Sequence, residues 1–137
     1  MIKEIINSTD CISFTSATDD DIKNLSAHFQ ECGLPPIPQS YALFLKNSNG
    51  FQYDGIEFYG TIEHKRTEKD YTFPSLLTAN KDFSNYEFFS NKLLIGIMLE
   101  NFIIFDSTTQ KFAIVDAISL HTLKEFPDFR ELIKTIL

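Results

Sequence analysis

Residues 45–60, LKNSNGFQYDGIEFYG, decide how the chain is read. Three glycines, Gly50, Gly55 and Gly60, fall within eleven residues among aromatic side chains. Such a stretch either cradles a phosphate or bends the backbone. Phosphate loops take the forms GxGxxG or GxxxxGK[ST], and they run from a strand into a helix whose N-terminus meets the anion. These glycines match neither spacing, and here a helical segment precedes and a short strand follows. The backbone reading therefore holds. Gly50 stops a helix, Gly55 permits a turn and Gly60 ends a strand.

Working outward, two helices precede this stretch. Thr18 followed three residues later by Asp21 forms a capping box, and Asp19, Asp20 and Asp21 suit the positive end of the helix dipole. Ile22, Leu25, Phe29 and Cys32 then share one face, Gly33 closes the helix, and LPPIP cannot continue it. In PQSYALFLKNSNG, Pro38 fits the first turn, and Tyr41, Phe44, Leu45 and Ser48 form the inward stripe.

After the glycines, Ile56 and Phe58 alternate with Glu57 and Tyr59 as in a strand. TIEHKRTEKDYTFP is charged and aperiodic, and it reads as an exposed loop. SLLTANKDFSNY predicts a short helix with Leu76, Leu77, Asn80 and Phe83 inward. KLLIGIML, FIIFD and KFAIVDA are strands joined by turns at Glu100-Asn101 and STTQ, so they are antiparallel neighbours. Their continuous apolar runs imply helices over the sheet. EFPDFRELIKTIL closes as an amphipathic helix with Phe129, Leu132, Ile133 and Ile136 inward. The expected fold is one α+β domain, an antiparallel sheet of about four or more strands packed against several helices.

The 137 residues suit a single domain able to bury about two thirds of the surface its unfolded chain exposes. A net charge of −7 argues against direct nucleic-acid binding, which needs clustered Lys and Arg, and is compatible with a basic partner. The two cysteines, Cys11 and Cys32, are too distant for CxxC and too few for a disulfide framework, so they read as free thiols. The opening MIKEIINSTD lacks a signal-peptide core, and no stretch reaches the roughly 20 apolar residues of a membrane span. The expectation is a soluble cytoplasmic protein.

Catalytic and metal chemistry find little support. His28, His64 and His121 share no ligand spacing, and His64 with Glu63, Glu68 and Asp70 reads as a solvated charged loop. There is no GxSxG elbow. Asp106, between FIIFD and STTQ, reads as an Asx-turn. No catalytic residue, cofactor or metal is expected. What remains is an acidic, aromatic region: Tyr53, Asp54, Glu57, Tyr59, Glu63 and Glu68 form the candidate partner-binding face.

LPPIPQSYALFLKNSNGFQYDGIEFYG resembles the opening signature of the SUKH superfamily, the Smi/Knr-like proteins, whose sense is LPxxYxxFLxxxNG followed by a strand ending near a glycine. Leu34, Pro35, Tyr41, Phe44, Leu45, Asn49, Gly50 and Gly60 occupy those positions. LLTANKDF, with Asn80, is similar to the family's next helix. LLIGIMLENFIIFDSTTQKFAIVD, with Gly96 and Asp106, is similar to its core strands. The resemblance covers about residues 18–137, and the form of the glycine stretch is nearest the bacterial YrhA-like branch. It implies a single α+β domain without catalytic residues. It also implies an immunity protein that neutralises a cognate polymorphic toxin, often a nuclease or deaminase, by binding it. A nuclease site is basic because it holds phosphate, so an acidic inhibitor suits it. Two alternatives stay open: a scaffold or regulatory module of the Smi/Knr type, and a small enzyme. The enzyme would need a deep polar pocket holding His28 or His121 with a carboxylate.

Overall fold

A computed structural model describes residues 12–66, 71–83 and 85–137. The elements run β1 (Ile12–Ser13), α1 (Asp19–Glu31), α2 (Gln39–Leu45), β2 (Phe51–Tyr53), β3 (Ile56–Phe58), β4 (His64–Arg66), β5 (Tyr71–Phe73) and α3 (Leu76–Phe83). A 3-10 turn (Glu87–Phe89) follows, then β6 (Lys92–Met98), β7 (Asn101–Asp106), β8 (Lys111–Asp116), β9 (Thr122–Phe126) and α4 (Phe129–Ile136). A seven-stranded sheet takes the order β1-β2-β3-β6-β7-β8-β9, and β4 and β5 form a separate hairpin. Every pairing is antiparallel. This is the α+β domain expected from the sequence.

The helix caps follow their local chemistry. Thr18 Oγ1 accepts from Asp21 N at 3.1 Å, and Asp21 Oδ2 accepts from Thr18 N at 2.9 Å, so the capping box is complete. α4 begins at Asp128, whose carboxylate accepts from Glu131 N at 2.9 Å. Its stripe of Phe129, Leu132 and Ile133 is buried.

Residues directly opposite in antiparallel strands share a face, so register sorts the core into two layers. Phe51 opposes Phe58, Phe58 opposes Gly96, and Phe105 opposes Phe112. This face carries α2 and α4: the Phe129 ring lies 5.0 Å from Phe58, 4.9 Å from Phe44 and 4.9 Å from Tyr41. On the other face, Phe102 packs against Phe83 of α3 at 5.6 Å and Phe89 of the 3-10 turn at 5.7 Å. Tyr41 is fully buried, and its hydroxyl donates to the Tyr59 carbonyl. Burial, and then Tyr59 nearby, hold its phenol well above the usual range.

Four expectations are corrected. α2 stops at Leu45 with Lys46 as its C-cap, so Gly50 is not the helix stop. Asn47, Ser48 and Asn49 intervene, and Gly50, at φ +117, turns the chain into β2. The charged segment expected as a loop contains the β4–β5 hairpin, with Phe73 wholly buried. Within it His64 is half-buried rather than fully solvated. Its ring stacks on Phe14 at 3.8 Å, and Nε2 lies 2.8 Å from the Asn49 carbonyl. Cys32 is exposed rather than inward, because it caps the end of α1 with its backbone already turning (ψ 0). It is a free thiol; Cys11, Glu68 and Asp70 lie outside the described residues. Three further strands, β1, β2 and β9, add to those read from the sequence.

Candidate functional site

Three turns stand side by side at one end of the large sheet. Asp54 and Gly55 link β2 to β3, Leu99 and Glu100 link β6 to β7, and 117–121 link β8 to β9. Backbone bonds tie them into a row: Leu99 N donates to Gly55 O at 3.0 Å, and Ala117 N donates to Glu100 O at 3.2 Å. Asp54 (φ 45) and Gly55 (φ 83) take the paired left-handed conformation whose twist matches a two-residue hairpin. Leu99 (φ 56) and Leu120 (φ 62) also lie in the left-handed region. For a leucine that conformation persists only where the surrounding bonds hold it.

The β8–β9 turn is organised by Asp116. Its Oδ1 accepts from Ile118 N at 2.9 Å and Ser119 N at 2.8 Å. These bonds, Ser119's first, hold its carboxyl below the usual carboxylate range. At the opposite end of the sheet Asp106 accepts from Thr108 N at 2.9 Å, which is the Asx-turn expected there. Ile118 is thereby presented on a fixed tip at 87% exposure, and Leu99 stands at 73%. The charged side chains of the row are Asp54, Glu100 and Asp116; positions 54–55, 99–100 and 116–121 hold no Lys or Arg. Exposed aliphatic groups between carboxylates on a hydrogen-bonded frame have the make-up of a contact surface for a basic partner.

The candidate partner-binding residues scatter around this frame. Asp54 lies in the row and is exposed. Glu57 opposes Ile97, and Ile97 opposes Phe102, so Glu57 shares the sheet face of Phe102. Its Oε2 accepts from Gln52 Nε2 at 2.7 Å. Tyr53 opposes Ile56 and belongs to the other face, packed partly against the core. Tyr59 is not a surface anchor: it is buried at 5% exposure, 5.7 Å from the Phe73 ring of the unforeseen hairpin. Glu63 is exposed beside α3, accepting from the Thr78 hydroxyl at 3.0 Å. The five described residues therefore do not form one face; Glu68 lies outside the described residues. Sequence reasoning missed Leu99, Glu100, Asp116 and Ile118. The signal was present in D-A-I-S, which repeats the Asx-turn form of D-S-T, and in an apolar run that ends inside a turn.

Beside the row, on the α3 face, lies a hollow of about 360 Å³. Phe83, Phe89 and Phe102 meet in it; Tyr86, Phe88, Leu120, Glu87 and Ala117 complete its lining. A second, polar hollow of about 240 Å³ holds both Asp21 and His28. Asp21 is committed to the Thr18 backbone, and the His28 ring lies 3.8 Å from Glu31 rather than on Asp21. Ser75 Oγ, in the same hollow, donates to Thr78 Oγ1 and caps Thr78 N. No nucleophile, base and orienting acid are aligned in this hollow. Among the described residues no group of three or more His, Cys, Asp or Glu is placed to hold a metal, and no buried side-chain nitrogen or oxygen lacks a partner. Among them, too, no helix is long and apolar enough to cross a membrane.

No protein-family model matches the chain, and no curated protein matches it.

Proposed function

We propose that this chain is an immunity protein, which binds a cognate polymorphic toxin in the cytoplasm and neutralises it by noncatalytic protein–protein contact. The observation that carries this reading is the row of three hydrogen-bonded turns, where Leu99 and Ile118 stand exposed among Asp54, Glu100 and Asp116. A toxin that cleaves or deaminates nucleic acid holds phosphate and so is basic at its active site. An acidic domain of net charge −7 is steered toward such a site, and its carboxylates compete for the groups that hold phosphate. The aliphatic tips then exclude water at the centre of contact, where affinity concentrates. Of the residues read from the sequence, Asp54 is the one in this row, and in this reading Glu100, Asp116, Leu99 and Ile118 act with it.

The test is to look for a toxin gene beside this one and to co-express the pair. The proposal expects cells to survive and a complex to copurify. Death of the cells with no complex contradicts it. A complex with a protein that is not toxic, and no protection, favours the scaffold or regulatory module instead.

A further inference from the structure

We propose that the aromatic hollow beside the turns is an anchor pocket for one bulky apolar side chain of a partner protein, flanked in that partner by Lys or Arg. The inference rests on the protein-binding reading and specifies what the partner presents.

At about 360 Å³ the hollow is at the small end of ligand pockets, sized for a side chain or two rather than a dinucleotide or coenzyme. Its floor is already ordered. Phe83 and Phe89 lie 5.1 Å apart, and both meet Phe102 edge to face at 5.6 and 5.7 Å. Phe88 adds an edge contact to Phe89 at 5.1 Å. A guest group therefore meets fixed rings and orders little on entry, which is the condition for an anchor residue. Glu87 is the one charged residue of the lining, and no set of donors and acceptors converges that would orient a polar small molecule.

Charge selects among apolar guests. Glu87 stands on the rim. Glu100 and Asp116 flank Ala117, whose amide is bonded to the Glu100 carbonyl. On the other side, Lys92 is held with Nζ 4.9 Å from the centroid of Phe88. A second copy of this chain would bring its own acidic turns against these carboxylates, and an anionic lipid surface or nucleic acid is repelled by the same groups. A basic protein segment with a central aromatic or long aliphatic side chain meets both requirements. Tyr86, 61% exposed at the mouth, can close over such a group.

The probe is the peptide acetyl-Arg-Phe-Arg-amide, titrated into the labelled protein and followed by amide NMR shifts. Saturable shifts are expected at Glu87, Phe102, Ala117 and Leu120. Acetyl-Arg-Ala-Arg-amide and acetyl-Glu-Phe-Glu-amide should bind roughly fivefold or more weakly. Ala117→Phe, which fills the hollow, should weaken the first peptide about as much. Tyr86→Ala, at an exposed position, gives the same reading without a core change. The proposal is overturned if these four amides do not shift saturably, if the Glu peptide binds as well as the Arg peptide, or if both variants bind unchanged. Concentration-dependent broadening at these amides without peptide also overturns it, in favour of a second copy. A toxin neutralised by a protein whose hollow ignores the peptide removes only the anchor pocket. A hollow that binds the peptide while co-expression fails removes only the immunity reading.

Discussion

The side-chain amide of Asn80 pairs with the backbone of Leu94 as a neighbouring strand would. Leu94 N donates to Asn80 Oδ1 at 2.7 Å, and Asn80 Nδ2 donates to Leu94 O at 2.9 Å and to Leu76 O at 2.8 Å. β3 pairs with β6 only over Gly96–Met98, so Leu94 lies past the end of that ladder and its backbone groups need other partners. Asn80 supplies them and fixes α3 to the sheet. Asn80→Ala leaves both Leu94 groups unpaired in the core, where each costs about 1–3 kcal/mol. Urea unfolding should show a loss of about 3 kcal/mol. A loss below about 1 kcal/mol would mean that water or a shifted strand satisfies Leu94 instead.

A second prediction concerns Tyr41. Its buried phenol keeps its proton in the folded chain at pH values where the unfolded chain releases it. Below pH about 10 the group is protonated in both states and exerts no pH effect. Above that the unfolded state gains, so stability falls with rising pH by about 1.4 kcal/mol per unit from this residue. Tyr41→Phe should lose about 1 kcal/mol at neutral pH and show a shallower alkaline decline than wild type. Identical alkaline slopes would contradict the assignment.

Much of this frame was legible in the sequence, and the failures share a cause. The Thr18–Asp21 box, the stripe of Tyr41, Phe44 and Leu45, and the runs of β6, β7 and β8 are local patterns with a clear period. β2 has three residues, too few for a period. β9 is exposed at all but Phe126, so it shows no apolar alternation. β4 is held from outside, by pairing with β5 and by the stacking of His64 on Phe14. Missing that hairpin placed Tyr59 on the surface, because Phe73 was not seen as its cover. The turn row depends on which strand ends meet, and that order is set by pairing between distant segments. Even so, the resemblance signature holds a contact invisible to spacing alone. Asn49 bonds Thr61 through both Oδ1 (2.6 Å) and Nδ2 (2.7 Å). A side chain at Gly60 would collide with Asn49.

The third prediction isolates the β8–β9 turn. The Asp116 carboxyl is held below its usual range by the Ser119 and Ile118 amides. The bonds are therefore fully present above the unfolded value, about 4, and are lost as pH falls through the lower folded value. Hydrogen exchange at Ile118 and Ser119, corrected for intrinsic rates, should speed up at acid pH in wild type. In Asp116→Ala it should be fast throughout, with the global unfolding midpoint little changed. Slow exchange at both amides in the variant would show that another group orders the tip.

The fourth prediction tests steering. Asp54→Lys combined with Glu100→Lys reverses two exposed turn charges without touching the core. On the proposed immunity function, association with the toxin partner should slow by about tenfold at low salt, with a flatter salt dependence. Dissociation should change less. An unchanged association rate would place the contact on another face.

The most direct measurement is amide hydrogen exchange of the chain alone and in the complex that the proposed toxin partner would form with it. Neutralisation through the turn row predicts added protection at 54–55, 99–100 and 116–121, with β9 and the exposed face of α1 unchanged. Protection confined to α1 or β9, or none in a confirmed complex, would contradict it.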